Sequence, residues 1–422
     1  MPHPRKVVIT GLGAVCPLGV GSDALWAALE AGKSGVDWLS ELRGMESPFR
    51  FAARVKDFDP KLFVQPRKTI KVMCPEIQSA FAAASMAMEH GKLAKGGIDP
   101  ERLGVVLGSE MLYGDLHEMI EVFRHCTTSG EFDFSQWGDF AFKDLFPLWM
   151  LKYLPNMAAC HISIAHDARG PNNSIVEGGA SSLLAISEAA AAIERGHADA
   201  MLAGGSGSIA SFGCVPFRGW NQLSKWDGEP AGASRPFDAR RSGVVLGEGA
   251  GALLLEAREH AEQRGANILA RIVGYSSRFE APGSPWFNRT GRAITQSIAA
   301  ALSAAKMQPA DIGHVNAHGE SSIEQDRQEA QAIRGVLGDV PVIALKSNFG
   351  DLGAGSGAVE LIGSVLALIH GRLPPTLNYD EPDPACPINV VHGKMQPIEK
   401  PAALVLNQST TGQAAAVVIV RE

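Results

Sequence analysis

Basic charge in excess, paired cysteine spacing and apolar runs of membrane length are all missing from this chain of 422 residues. Lys and Arg total 38 against 45 Asp and Glu, a net charge of −7, which argues against a general nucleic-acid binder. Six cysteines stand at 16, 74, 126, 160, 214 and 386 without a Cys-x-x-Cys pair, so zinc and dithiol readings are weak. Buried, reduced thiols in a cytoplasmic protein account for them, Cys160 included. No stretch of 18 apolar residues occurs, so no membrane span is expected. The opening MPHPRKVVITGLGAVCPLGV imitates a signal peptide but reads as a first strand and Gly turn that lead straight into the fold. Aromatics make up only 7%, and nothing groups into a metal site.

What the chain does have is glycine, 46 residues of it, and long Ala-, Val- and Leu-rich runs without strict alternation, as in buried strands of an α/β fold. KVVITGLGAV, LGVVLGSE, ADAMLAGGSGS and GVVLGEGAGALLLEA read as strands. Helical patterns such as GSDALWAALEAG, with Ser22 or Asp23 as cap, lie between them. From ILARIVGYSSR onward the same order of β, helix, β, helix, β, β returns. That predicts two similar halves, 1–262 and 263–422. Between Tyr113 and Pro155 an excursion gathers Phe123, Phe132, Phe134, Trp137, Phe140, Phe142, Phe146, Trp149, Met150 and Tyr153. It reads either as a satellite core or as an interface or tunnel wall.

GPNNSIVEGGASSLLAI (Gly170–Ile186) predicts a short strand, a turn of small residues and an Ala-rich helix. Such an elbow presents one side chain at a helix N-terminus, where the dipole and free N–H groups favour a thiolate or a developing oxyanion. Gly178, Gly179 and Ala180 occupy its apex, and none of them can attack a carbonyl.

VVITGLGAVCPLGVGSDALWAALEAGKSGV, RGPNNSIVEGGASS, ADAMLAGGSGS, ASRPFDARRSGVVLGEGAGALLLE, VNAHGESSIEQDRQEAQAI and KSNFGDLGAGSGAVELI resemble, in order, the signatures of the β-ketoacyl-[acyl carrier protein] synthases. The resemblance covers nearly the whole chain. It implies a thiolase-type αβαβα five-layer sandwich built from two similar halves, acting as a dimer. In that family a cysteine takes the acyl chain from its carrier, two histidines assist decarboxylative condensation, and a lysine helps order the site.

Carried over residue by residue, the nucleophile position falls on Gly179, the first histidine on His318, the lysine on Lys346 and the second histidine on Asp351. Without a thiol the acyl-enzyme route is closed, and an anion at 351 would oppose oxyanion stabilisation. An Asp351–Lys346 ion pair is the expected role of that aspartate. His318 is expected either to be held by a backbone carbonyl or by Asp351, or to keep residual chemistry. The carrier-arm segment, Gly-Thr-x-Thr in the family, reads Gly319, Glu320, Ser321, Ser322 here. The family's Phe-Gly-Phe gate falls on Ser409 and Thr411, and Gly412 persists. Asp326, Glu329 and Glu360 read as helix caps and buried ion pairs. Glycine at 179 is expected to leave a roomier site than the glutamine common in chain-length factors.

These departures imply a ketosynthase-like subunit of a type II fatty-acid or polyketide system. Its nearest type is the chain-length factor, which does not condense by itself and shapes the acyl pocket of an active ketosynthase. The alternatives are a malonyl-carrier decarboxylase or acyltransferase using His318, and a homodimeric acyl-chain-binding protein. Expected partners are an active ketosynthase or a second copy, and an acyl carrier protein, toward which the basic run PRKTIK (Pro66–Lys71) could point. No bound cofactor is expected; the phosphopantetheine of the carrier would act through the partner.

Overall fold

The computed structural model describes residues 5–42, 47, 49–110, 114–211, 213–281 and 290–422. Tyr113, the first residue of the aromatic excursion, lies outside them. The first half of the chain supplies β1 (Val7–Cys16), α1 (Ser22–Glu30), α2 (Pro75–His90), β2 (Leu103–Ser109), α3 (Leu116–His125), α4 (Trp137–Asp144), α5 (Met157–His166), β3 (Asn172–Ile175), α6 (Ser181–Glu194), β4 (Ala200–Ser208) and β5 (Glu248–Ala257). The second half supplies β6 (Ala270–Phe279), α7 (Arg292–Ala305), β7 (His314–Asn316), α8 (Ile323–Leu337), β8 (Pro341–Ile343), α9 (Ser356–His370), β9 (Asn389–Val390), β10 (Ala402–Gln408) and β11 (Gln413–Arg421).

Strand order exposes a duplication that side-chain identity hides. The first half runs β3-β2-β4-β5-β1 and the second β8-β7-β10-β11-β6, with β9 added outside β8. In both, the strand that opens the half pairs antiparallel with the one that closes it, and the two inner crossovers are parallel. Even the irregularities match: β1 shifts register between Ile9 and Gly11, β6 between Ile272 and Gly274. A short antiparallel seam, Val7 opposite Ile272 and Ile9 opposite Ala270, joins the halves.

Two helices lie between the sheets. Leu183 and Ile186 of α6 and Val359, Leu361 and Ile362 of α9 pack against Ile9 and Leu253 on one side and Val405 and Val417 on the other. The outer face of the first sheet is covered by Phe81 and Ala84 of α2 with Ile162 of α5, and that of the second by Ile294 and Ile298 of α7 with Ile333 of α8. These are the five layers of a thiolase-type sandwich. Burial on both sides explains the composition of α9. Residues 353–370 are the one helix among the described residues long and apolar enough to cross a membrane, yet 89% of that window is buried inside the protein.

Two local expectations fail. Neither Ser22 nor Asp23 caps α1; Gly21 holds the cap position and no side chain bonds there. The aromatic stretch is not a closed satellite core, since Phe134 is 74% and Phe142 92% exposed.

Candidate active site

The elbow forms as the small residues dictate. β3 ends at Ile175, Gly178–Ala180 make one tight turn, and α6 begins at Ser181. Ser181 stitches the bend, its Oγ accepting from Glu177 N at 2.8 Å and donating to Gly178 O at 2.7 Å. Gly179 is not roomy. A Cβ built there would lie 2.8 Å from Gln408 O and 3.0 Å from His318 Cε1, so the nucleophile position is filled by the neighbouring strand end and the imidazole. The expected space is absent because β10 closes onto the bend.

His318 follows β7 and is fixed from behind by two carboxylates of α8. Glu329 accepts from His318 N at 2.7 Å and Gly319 N at 2.9 Å, while Asp326 accepts from Glu320 N at 3.2 Å and Phe237 N at 2.9 Å. They tie down the loop and do not cap a helix; Ser322, expected in the carrier-arm segment, is the N-cap of α8. Burial pushes Asp326 up to about 7 and Glu329 up to about 8.

Lys346 does not meet Asp351. Its Nζ donates to Glu360 Oε1 at 2.6 Å and His318 O at 2.9 Å, and lies 3.2 Å from His318 Nδ1. Glu360 captures the ammonium because α9 carries it into the layer between the sheets, fully buried. Asn407 Nδ2 reaches Glu360 Oε2 at 2.6 Å and His318 Nδ1 at 3.3 Å. Two donors at Nδ1 assign the imidazole proton to Nε2. That nitrogen faces neither a backbone carbonyl nor Asp351, as expected, but Glu320 Oε2 at 3.4 Å.

Asp351 accepts from Gly353 N and Ser356 Oγ, each at 3.1 Å, and stands 3.6 Å from Arg218 Nη2. The same guanidinium nitrogen binds Glu320. Burial alone would raise the Glu320 carboxyl, but the charge of Arg218 and the His318 imidazole overcome it and hold the group well below the usual range. Burial pushes Glu110 up to about 7, with Asp351 adding to the rise and Ala354 N and Arg218 opposing it.

The outcome is a buried chain of polar groups in contact, with His318 between two ion pairs: Glu360, Lys346, His318, Glu320, Arg218, Asp351. Sequence reasoning missed Arg218, which sits on a short helix, Val215–Arg218, in the long β4–β5 connection. Two added carboxylates at family positions signal that a counter-charge is needed, but nothing local says which basic residue supplies it. Glu177 was missed too: Ser409 Oγ donates to it at 3.2 Å and Thr411 Oγ1 also bonds it, which latches the β10–β11 turn over the elbow. Gly412 (φ 115) completes that turn against the carbonyl of Glu280, where a side chain would collide.

Duplicated sheets around two central helices, with an elbow, a histidine loop and a lysine converging at one end, define a thiolase-fold acyl-transfer scaffold. Residues 4–261 match the model of the beta-ketoacyl synthase N-terminal domain and 269–380 that of the C-terminal domain. The chain is 35% identical over 392 residues to 3-oxoacyl-[acyl-carrier-protein] synthase 2 of Coxiella burnetii, covering 92% of this chain and 91% of that one. It is 32% identical over 423 residues to a putative polyketide beta-ketoacyl synthase 1 of Streptomyces halstedii, 98% of each. The ishigamide ketosynthase/chain length factor superposes with TM-score 0.85 at 26% identity, covering 99% of this chain and 100% of that one. A type II polyketide ketosynthase, AntDE, solved with its acyl-carrier protein AntF, gives TM-score 0.86 at 30% identity with the same coverage. The chain belongs to the β-ketoacyl synthase family and is a ketosynthase-like protein of the type II fatty-acid and polyketide kind.

Proposed function

We propose that this chain is a non-condensing ketosynthase subunit that pairs with an active ketosynthase and completes its acyl pocket, as a chain-length factor does. One observation carries the reading: position 179 has no thiol and no volume in which to keep one, its Cβ site lying 2.8 Å from the Gln408 carbonyl. No thioester forms without a nucleophile. His318 offers no substitute as general base, because Lys346 and Asn407 occupy Nδ1 and Nε2 faces Glu320.

Pairing is supported by surface left uncovered in the single chain. β3 is an exposed sheet edge, a template for another strand. Beside it Ile164 is 77% exposed, and the α3–α4 excursion exposes Phe134, Phe142 and Met150. The similar ishigamide protein is itself described as a ketosynthase/chain length factor. Arg67, Lys68 and Lys71 project from an exposed turn, Arg67–Val72, and suit an acidic carrier protein. The phosphopantetheine arm would then enter through the partner.

Co-expression with an intact Cys–His–His ketosynthase from the same source, followed by size-exclusion chromatography and intact mass, tests this. A one-to-one heterodimer with acyl adduct confined to the partner is expected. A self-dimer that turns over malonyl-carrier, or an acyl adduct on this chain, overturns the reading.

A further inference from the structure

We propose that the β10–β11 turn, residues 409–412, is a strap that opens and closes over the elbow, with the Glu177 carboxylate as its latch. The elbow itself cannot shield the histidine behind it. Gly178 and Gly179 carry no side chains, and a Cβ at 179 would already lie 3.0 Å from His318 Cε1. His318 is nevertheless only 2% exposed. Its cover comes from the strand end and the turn. Gln408 O lies 2.8 Å from the Cβ place of Gly179, and Ser409 Cβ lies 3.7 Å from that of Gly178.

That cover is fastened by polar contacts to the elbow. Ser409 Oγ donates to Glu177 Oε1 at 3.2 Å, and Thr411 Oγ1 bonds the same oxygen. Hydroxyls donating to an ionised carboxylate make stronger bonds than neutral pairs. They are also bonds that water can replace, because Thr411 is exposed and Glu177 half-buried.

The strands behind the turn do not share this freedom. β10 and β11 stay paired from Ala402 opposite Val420 to Gln408 opposite Ala414, and both run inside the sheet. Movement is therefore confined to the turn. Gly412 is its hinge: the carbonyl is anchored by Glu280 N at 3.0 Å, and φ of 115 is a conformation that glycine rotates through without strain. One carboxylate, two residues past the end of β3, thus decides whether the imidazole is covered. The device works within a single chain and does not depend on pairing.

Hydrogen exchange on the full chain, resolved by peptide, tests the strap. The amides of Ser409 and Gly412 donate to Gln413 O at 2.8 Å and to Ser409 O at 3.3 Å, and should be protected in the parent protein. Glu177→Ala should speed their exchange on the order of tenfold. Glu177→Gln, which keeps an acceptor without the charge, should do so by a smaller factor. Residues 402–406 of β10 should keep their rate in both variants. A turn that exchanges freely in the parent, unchanged exchange there in Glu177→Ala, or an equal rise along residues 402–406 overturns the proposal.

Discussion

At the scale of single residues, the lost nucleophile was legible and its consequences were not. Gly179 and Asp351 stand out because the surrounding motifs fix what should occupy those places. The geometry adds that the gap has been closed. Gly179→Cys should therefore stay unacylated when given acyl-carrier, and Gly179→Ala should cost about 1–3 kcal/mol, since the new Cβ presses on a backbone carbonyl. Intact mass and denaturant melts check the two; a stable, acylated Gly179→Cys would refute the argument. Arg218 answers for Glu320 and Asp351 together. Arg218→Met leaves two nearly buried carboxylates without their cation and should cost about 3–5 kcal/mol. Arg218→Met with Glu320→Gln and Asp351→Asn should recover most of that, because no charge is then stranded. Equal stability of the single and triple variants would mean the guanidinium is idle. Sequence read Glu360 as half of a buried ion pair but not which cation it holds: Lys346 looked like the natural partner of Asp351 until α9 delivered Glu360 to it.

At the scale of elements, the buried strands and Ala-rich helices were legible from unbroken apolar runs, and β3 from its place before the elbow. The aromatic excursion was not. Its residues could equally have filled a core or faced outward, since composition does not say which side of α3 and α4 has a neighbour. The exposed rings give a clean experiment. Phe134→Asp with Phe142→Asp should change the stability of the isolated chain by less than about 0.5 kcal/mol, as surface changes do. It should abolish co-purification with the partner ketosynthase. Intact pairing in that variant would take the excursion out of the interface.

At the scale of the whole molecule, burial sets the response to pH. Glu110 and Asp326 at about 7 and Glu329 at about 8 hold protons more tightly folded than unfolded, so their contribution is complete below about pH 4.5 and is lost as pH rises through 7 to 8. His314, fully buried with neither ring nitrogen bonded, is pushed down to about 3 by burial. Its contribution is complete above pH 6.5 and is lost as pH falls toward 3, at up to about 1.4 kcal/mol per pH unit. Between about pH 4.5 and 6.5 the three carboxyls outweigh the one imidazole, so on these groups the melting temperature should peak near about pH 4.5 and fall on either side. His314→Leu should flatten the acid side, between about pH 3 and 4.5, and steepen the fall between about pH 4.5 and 6.5. A melting temperature that climbs steadily to pH 9 would contradict the account.

The amino-acid order alone determined the family, the two-half α/β sandwich and the missing thiol, because each follows from local patterns that one segment carries by itself. Only the tertiary structure decided that Lys346 belongs to Glu360, that Arg218 neutralises Glu320 and Asp351, and that Gln408 fills the place beside Gly179. Most of those contacts join residues far apart in the chain, and which charges meet depends on how helices and strand ends pack. No local pattern encodes that.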